Sequence, residues 1–174
     1  PNLKLITTRS TGFDHIDAEA AKKRGVTVLS VPAYGEHTVA EFAFALLFTL
    51  SRKMFAAHDA VIKEGAFDPK SFTGFDLCGK TLGVLGTGRI GKNVIKIAKG
   101  FGLTVLAFDA YPDQAFAVEQ GINYLSLDEI YAQADIITLH LPGGPETEKI
   151  INDQAIAKFK HGMIVINTAR GELI

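Results

Sequence analysis

Short apolar runs alternate with amphipathic segments through the second half of the chain. Each run has the length of a strand, and in the segments between them apolar residues recur three and four positions apart. The pattern predicts strands at Thr81–Leu85, Thr104–Phe108, Ile122–Leu125, Asp135–Leu141 and Met163–Thr168. It predicts helices at Arg89–Lys99, Asp113–Gln120 and Asn152–Phe159, and another that opens with the capping box Ser126–Glu129. This alternation indicates an α/β fold with a doubly wound parallel sheet.

The beginning of the chain has the same alternation. Leu3–Thr7 and Val26–Val31 are predicted strands, and Ala18–Arg24 is a predicted helix between them. Asp17 precedes the helix as a candidate N-cap, and Gly25 follows it in the position that favours glycine. These residues therefore predict a strand–helix–strand unit.

A long helical pattern separates the two alternating regions. It runs from about Thr38 to Glu64, and Gly65 is a plausible stop. Phe67–Gly79 follows as an irregular connection, and a domain boundary is expected in or near the long helix. Its most apolar part, Phe42–Leu50, is too short to span a bilayer, so it is interpreted as a buried helix.

Composition narrows the classes of function. The 174 residues carry a net charge of −1, which gives no electrostatic indication of a nucleic-acid partner. Cys78 is the only cysteine, which excludes a disulfide framework and fits a reducing, cytoplasmic compartment. No histidine pair has a metal-ligand spacing, so no metal is expected. Because the most apolar run is too short to span a bilayer, no membrane partner is expected either. The chain opens without a signal peptide or an initiator Met and stops on an apolar pair, so both termini are interpreted as cuts.

Gly86–Gly91 matches the pattern G-x-G-x-x-G between a predicted strand and a predicted helix. In that context the glycines permit a tight turn, close approach of a pyrophosphate and close packing of helix on strand. The amides of Arg89 and Ile90 would face the phosphates. Asp109 ends the next strand about twenty residues later, where a carboxylate accepts hydrogen bonds from ribose hydroxyls and repels a 2′-phosphate. The spacing therefore predicts NAD as the cofactor.

Other candidates have structural alternatives that the pattern alone leaves open. His140 follows a strand at the ligand-binding edge, but a packed histidine is the preferred interpretation there. Arg170 at the same edge could bind a carboxylate or form a structural ion pair. Ser10–Gly12 could expose amides to an anion, although a plain turn is favoured. Tyr34 could donate a hydroxyl into a cleft or cover a helix start.

Taken together, these motifs resemble those of the D-isomer-specific 2-hydroxyacid dehydrogenase family. The resemblance rests on their order along the chain: Thr11–Asp17, Val39–Glu41, Gly86–Gly91, Asp135–Pro142 and Ile166–Gly171. Four further stretches look most like D-lactate dehydrogenases within this family: Val31–Tyr34, Thr73–Phe75, Phe108–Pro112 and Tyr124–Asp128. Gly143 and Gly144 depart from the Leu-Thr often found at that point in the family.

The resemblance implies a role for each matching residue. It makes Arg170 the catalytic arginine that binds the substrate carboxylate and polarises the keto group. It assigns substrate binding to Thr11, Gly12 and Tyr34. The residues that it assigns to NAD are Gly86, Gly88, Arg89, Ile90, Gly91, Asp109, Leu141, Pro142, Thr147, Thr168 and Ala169. For Arg170 and Gly12 these implications outweigh the structural alternatives.

The resemblance also implies an organisation and an activity. Residues 1–33 would end the first segment of a substrate domain, and residues 34–174 would form most of an NAD-binding domain whose long helix often builds a homodimer. The family's general acid/base His and its Glu lie downstream of Arg170, so the chain is expected to be truncated and inactive by itself. The full-length protein would interconvert a 2-keto acid and a D-2-hydroxy acid, with pyruvate and D-lactate favoured. A glycerate or phosphoglycerate specificity, or a non-catalytic NAD(H)-binding corepressor, are the alternatives.

Overall fold

The computed structural model describes residues 2–66 and 68–174, and these form two compact units. The first unit reaches Glu36 and the second spans His37–Ile174. The division falls in the first turn of the long helical region. Phe67, where the irregular connection was predicted to begin, lies outside the described residues.

The first unit is a strand–helix–strand motif. Its elements are β1 (Leu5–Thr7), α1 (Ala18–Lys23) and β2 (Thr27–Leu29), and the two strands pair in parallel. Asp17 caps α1, because its Oδ1 accepts a hydrogen bond of 2.8 Å from the amide of Ala20. Gly25 adopts a left-handed φ of 66° after the helix. β1 begins two residues later than the apolar pattern predicted and ends at the predicted residue, whereas β2 is shorter than predicted at both ends.

The predicted long helix is wrong in one respect, because the structure has two helices there. The elements are α2 (Glu36–Ser51) and α3 (Met54–Glu64). Lys53 between them has a left-handed φ of 50°. The carbonyl of Ser51 accepts a hydrogen bond of 3.0 Å from the amide of Phe75, and the Arg52 side chain pairs with Asp76 at 2.8 Å. The connection of residues 68–79 therefore packs into the break and fixes it.

The remaining elements follow the predicted order closely. They are β3 (Thr81–Leu85), α4 (Arg89–Gly100), β4 (Thr104–Phe108), α5 (Gln114–Gln120), β5 (Asn123–Tyr124), α6 (Leu127–Gln133), β6 (Ile136–Leu139), α7 (Asp153–Ile156), β7 (Ile164–Asn167) and a 3-10 turn (Gly171–Leu173). The predicted capping box at Ser126 and Glu129 is present at the start of α6. Strands β6 and β7 and helix α7 are shorter in the structure than the sequence predicted.

The five strands of the second unit form one parallel sheet in the order β5-β4-β3-β6-β7. The chain starts at β3, winds outward to β5, and returns to the other side of β3 to form β6 and β7. This confirms the doubly wound α/β fold. It also creates a topological switch point between β3 and β6, where such sheets bind ligands at the carboxyl ends of their strands.

Apolar side chains bury both faces of this sheet. Residues of α2, α4 and α5 pack on one face, with Phe44, Val94 and Phe116 all buried. Residues of α6 and α7 pack on the other, with Ile130 and Ala155 buried. The strands are consequently apolar almost without alternation, as parallel strands covered on both faces require. Among the described residues, no helix has the length and apolar character needed to cross a membrane.

Candidate functional site

The polar segments singled out in the sequence follow neighbouring strands of the sheet. Asp109 follows β4, Gly86–Gly91 follows β3, His140–Pro142 follows β6, and Thr168–Arg170 follows β7. Because all these strands are parallel and adjacent, their carboxyl ends lie along one edge of the sheet. The fold therefore brings the predicted site residues of the second unit to the edge that contains the switch point.

The turn after β3 is possible only with glycine at two positions. Gly86 has a φ of 95°, and a Cβ there would lie 2.6 Å from the carbonyl oxygen of His140. A Cβ on Gly91 would collide with the carbonyl oxygen of Gly86. At Gly88, in contrast, a Cβ would meet nothing within 4 Å. Gly86 and Gly91 are thus required for packing, whereas Gly88 keeps a surface of the turn open.

The first turn of α4 is suited to an anion. Gly88 is the N-cap and provides no side chain to cap the helix, and the first turn contains no acidic residue. Gly88 and Arg89 are exposed and Ile90 is half-buried. The amides at a helix N-terminus carry partial positive charge, and here no carboxylate of the first turn offsets it. A phosphate group would supply the missing acceptors.

Asp109 is held beside this turn by hydrogen bonds to the backbone and to Thr87. Its Oδ2 accepts from the Thr87 amide at 2.6 Å and from the Thr87 hydroxyl at 2.8 Å, and its Oδ1 accepts from the Tyr111 amide at 2.9 Å. Partial burial works to raise the pKa of Asp109, but these hydrogen bonds and the charge of Lys92 outweigh it and lower the pKa. The carboxylate is therefore ionised at neutral pH.

His140 is packed, in agreement with the preferred sequence interpretation. Its Nε2 lies 2.9 Å from the hydroxyl of Thr138, a side chain and not a backbone group. Burial lowers the pKa of His140 from 6.5 to about 4, so its imidazole is neutral at physiological pH. Its amide donates to the carbonyl of Leu85 at 2.8 Å and extends the pairing of β6 with β3. His140 thus shapes the switch point through its backbone.

The segment after β7 is folded by Asn167, a residue that the sequence analysis did not assign. Its Nδ2 donates to the carbonyl of Arg170 at 2.7 Å, and its Oδ1 accepts from the amide of Ala169 at 2.9 Å. The Arg170 Nη1 donates to the carbonyl of Ala169 at 3.0 Å. The motif Asn-Thr-Ala-Arg-Gly contained this signal, because Asn side chains commonly bond to nearby backbone in turns.

Three further residues that were predicted to contact NAD, Leu141, Thr147 and Thr168, lie in this part of the fold. The Thr147 hydroxyl donates to the carbonyl of Pro142 at 2.7 Å, which ties the glycine-containing loop to the end of β6. Leu141 is buried. The hydroxyl oxygen of Thr168 is buried and has no hydrogen-bond partner among the residues that the structure describes. A buried hydroxyl without a partner is costly, so it is a candidate to bond a ligand.

The Ser10–Gly12 loop of the first unit is held by its own side chains. The Ser10 hydroxyl donates to the carbonyl of Gly12 at 2.6 Å, and the Ser10 amide donates to the Thr8 hydroxyl at 3.0 Å. Tyr34 is 65% exposed and lines an open depression of about 860 Å³ together with Arg9 and His15. This unit therefore presents polar groups on a concave surface.

Comparison with known proteins shows the family. Residues 44–174 match the family described as "D-isomer specific 2-hydroxyacid dehydrogenase, NAD binding domain", and the chain belongs to that family. It is 41% identical to D-lactate dehydrogenase of Escherichia coli over 172 residues, which covers 99% of the chain and 52% of that protein. It is 44% identical to D-3-phosphoglycerate dehydrogenase of Mycobacterium bovis over 174 residues, which covers 100% of the chain and 33% of that protein.

A solved structure agrees with the sequence relatives. D-lactate dehydrogenase from Aquifex aeolicus, complexed with NAD and lactic acid, has a TM-score of 0.89 and 42% identity to the chain. The alignment covers 100% of the chain and 52% of that structure. The chain thus spans about half the length of the D-lactate dehydrogenases that it matches.

The residues at the carboxyl edge fit NAD, the cofactor of this domain family. The open turn at Gly88 and the uncapped start of α4 fit a pyrophosphate. The ionised Asp109 fits the hydroxyls of an adenosine ribose. The unpartnered hydroxyl of Thr168 supplies one more polar group at the same edge.

Gly88 and Gly91 should respond differently to alanine. In Gly88→Ala the added methyl enters open space, so the free energy of unfolding should stay within about 0.5 kcal/mol. The methyl should nevertheless obstruct the pyrophosphate and raise the Kd for NADH by about tenfold, or 1.4 kcal/mol. Gly91→Ala should instead lower the free energy of unfolding by about 1–3 kcal/mol, because its methyl collides with the backbone of Gly86.

Denaturant unfolding and NADH fluorescence titration measure the two effects. Gly100→Ala, at a helical position with open space, is the matched control for an added methyl. A Gly88→Ala variant that binds NADH as tightly as the wild type would contradict this assignment of the turn.

Proposed function

We propose that the full-length protein containing this chain is an NAD-dependent oxidoreductase that interconverts a 2-keto acid and a D-2-hydroxy acid, with pyruvate and D-lactate as the favoured pair. One observation carries the proposal: the glycine turn, the ionised Asp109 and Arg170 follow strands of one parallel sheet at the same edge. The 41% identity to a D-lactate dehydrogenase supports the choice of substrate.

Bound NAD would supply the hydride chemistry, and the chain's residues would bind and orient the reactants. In this proposal the amides at the start of α4 bind the pyrophosphate, while Asp109 accepts hydrogen bonds from the adenosine ribose. The remaining cofactor contacts would come from Ile90, Leu141, Pro142, Thr147, Thr168 and Ala169. The negative charge of Asp109 would disfavour a 2′-phosphate, which accounts for NAD in preference to NADP.

Arg170 is the proposed catalytic residue of this chain. A guanidinium presents its N–H groups in a planar fork that matches the two oxygens of a carboxylate. Its charge also stabilises negative charge that develops on the keto oxygen during hydride transfer. Thr11 and Gly12 would bind the substrate carboxylate through their amides, and Tyr34 would contact the substrate.

The proposed domain assignment follows from these roles. The first unit would belong to the substrate domain, and the second would be the NAD-binding domain that begins near residue 34. The division of the two compact units after Glu36 supports this boundary. A cytoplasmic location, expected from the single cysteine, stays a prediction.

The substrate class is tested by NADH oxidation in the full-length protein with a panel of 2-keto acids. We expect pyruvate to give a higher kcat/KM than hydroxypyruvate and bulkier 2-keto acids, with D-lactate as the product. The 44% identity to a D-3-phosphoglycerate dehydrogenase favours a second candidate, a phosphorylated substrate. Preferred oxidation of 3-phosphoglycerate, measured in the reverse direction as reduction of NAD, would select that candidate. Absence of turnover with every acid, despite NADH binding, would overturn the enzymatic proposal.

Arg170→Lys should lower kcat/KM by on the order of a hundredfold, because an ammonium group cannot reproduce the planar fork at a developing negative charge. Steady-state assays with the preferred keto acid measure the effect. Arg52→Lys is the matched control, since Arg52 forms an exposed ion pair with Asp76 and should keep wild-type activity. Near-normal activity of Arg170→Lys would remove Arg170 from the catalytic role.

We further propose that α2 and α3 pair with a second copy of the protein. The observation in favour is a set of exposed apolar side chains on these two helices: Phe42, Leu50, Met54, Phe55, Val61 and Ile62. Phe55 is 74% exposed and Ile62 68% exposed, and such a patch commonly marks an interface. Charge at this patch should oppose association.

Phe55→Asp should therefore shift the full-length protein from dimer to monomer in light scattering after size exclusion. Val118→Asp, at an 83% exposed position of α5, is the control and should leave the mass unchanged. A wild-type protein that is monomeric at micromolar concentration would contradict the dimer.

A further inference from the structure

Three hydrogen bonds in series connect the start of α5 to the carboxylate of Asp109. The amide of Asp113 lies 3.2 Å from the Tyr124 hydroxyl, and the Tyr124 hydroxyl lies 2.8 Å from the Thr87 hydroxyl. The Thr87 hydroxyl in turn lies 2.8 Å from Oδ2 of Asp109. The residues come from four different segments, the ends of β3 and β4, strand β5 and the N-cap of α5.

The amide at one end of this series and the carboxylate at the other fix the direction of all three hydrogen bonds. An amide only donates, and an ionised carboxylate only accepts. Thr87 must use its one hydroxyl hydrogen toward Asp109, so it accepts from Tyr124. Tyr124 therefore donates to Thr87 and accepts from the amide of Asp113. Each donor is polarised by the next, which strengthens the set as a unit.

Asp113, at the other end of this series of hydrogen bonds, is held in place by independent contacts. Asp113 caps α5, because its Oδ1 accepts from the amide of Phe116 at 3.0 Å. Its Oδ2 pairs with Lys92 of α4 at 2.5 Å. Tyr124 pairs with Ala107 at the sheet edge. The Tyr124 hydroxyl is thus fixed by the fold, and it can restrict the position of the Thr87 hydroxyl.

The hydrogen bonds also determine which part of Asp109 can meet a ligand. A carboxylate has about four acceptor positions. Thr87 fills two on Oδ2 with its amide and hydroxyl, and the Tyr111 amide fills one on Oδ1. The one remaining acceptor position lies on Oδ1 and is open to a donor from a ligand. If Thr87 lost its restraint, the carboxylate could rotate and this open position would no longer be defined.

We propose that Tyr124 is a positioning residue for the adenosine half of the cofactor, acting through Thr87 to orient the ribose-binding oxygen Oδ1 of Asp109. The inference rests on the proposed NAD-binding function. Tyr124 itself touches no cofactor in this account. It determines affinity for the adenosine ribose through a relay of hydrogen bonds from β5 to the turn after β3.

Tyr124→Phe in the full-length protein removes the donor to Thr87 and keeps the ring. One lost hydrogen bond corresponds to a change of about two- to tenfold in binding. We expect the Kd for ADP-ribose, measured by isothermal titration calorimetry, to rise by that factor. The KM for NADH should rise similarly, while kcat should change by less.

Tyr131→Phe is the matched control. The Tyr131 hydroxyl is also hydrogen-bonded, to the carbonyl of Ile150 at 2.8 Å, and burial raises the pKa of Tyr131 to about 12. Loss of this hydroxyl should lower the Tm but leave the Kd for ADP-ribose unchanged. A merely structural role for Tyr124 would make the two variants behave alike.

Thr87→Val completes a double-mutant cycle. If Tyr124 acts through Thr87, the double variant should bind ADP-ribose no more weakly than Thr87→Val alone. The inference would be overturned if the two substitutions raised the Kd for ADP-ribose by independent factors, or if Tyr124→Phe bound ADP-ribose like the wild type. Neither result would contradict the proposed cofactor site. A wild-type protein that binds no ADP-ribose would instead overturn the proposed function.

Discussion

The central strand β3 is hydrogen-bonded on both sides, and the arrangement of the carboxyl edge depends on this pairing. At the carboxyl end of β3, the amide of Gly86 donates to the carbonyl of Phe108 in β4, and the carbonyl of Leu85 accepts from the amide of His140 just after β6, each at 2.8 Å. The carboxyl ends of β4, β3 and β6 are therefore hydrogen-bonded to one another. The backbone after β6 passes so close to Gly86 that a side chain at this position would be excluded. The turn and the switch point are consequences of the same close approach.

This arrangement separates charges in a way that suits a dinucleotide. The N-terminus of α4 follows β3 and carries partial positive charge, whereas the ionised Asp109 follows the neighbouring β4. Arg170 follows β7, on the opposite side of β3 from Asp109. In the proposed function the adenosine end of the cofactor would lie toward β4 and the reacting end toward β7. The order of strands in the sheet would thus set the order of chemical groups along the ligand.

Much of this organisation could be predicted from the sequence because it depends on local patterns. The bounds of β3 and β4 agree with their apolar runs, and the caps at Asp17 and Ser126 depend on residues three positions apart. The fingerprint and Asp109 were identified by spacing, and the structure brings them to one edge. Assignment of their roles still rests on the resemblance and on the family, which covers residues 44–174.

The features that were missed depend on contacts between distant segments. The break between α2 and α3 arises because Phe75 bonds the carbonyl of Ser51, and no local signal at Lys53 indicates a left-handed residue. Likewise, Tyr124 lies 37 residues from Thr87, and nothing in an edge strand of two residues marks its hydroxyl as a partner of the turn. Periodicity describes which face of an element is buried, but it does not identify the partner of a polar side chain.

In the proposed function, the ionised Asp109 after β4 selects NAD in preference to NADP. Equilibrium binding of NADH and NADPH to the wild-type protein and to Asp109→Asn tests it most directly. The wild type should bind NADH more tightly than NADPH by about tenfold or more, a difference of about 1.4 kcal/mol. Asp109→Asn should bring the two affinities closer together, because the charge that repels the 2′-phosphate is removed. Equal affinities in the wild type, or a ratio that Asp109→Asn leaves unchanged, would contradict the account.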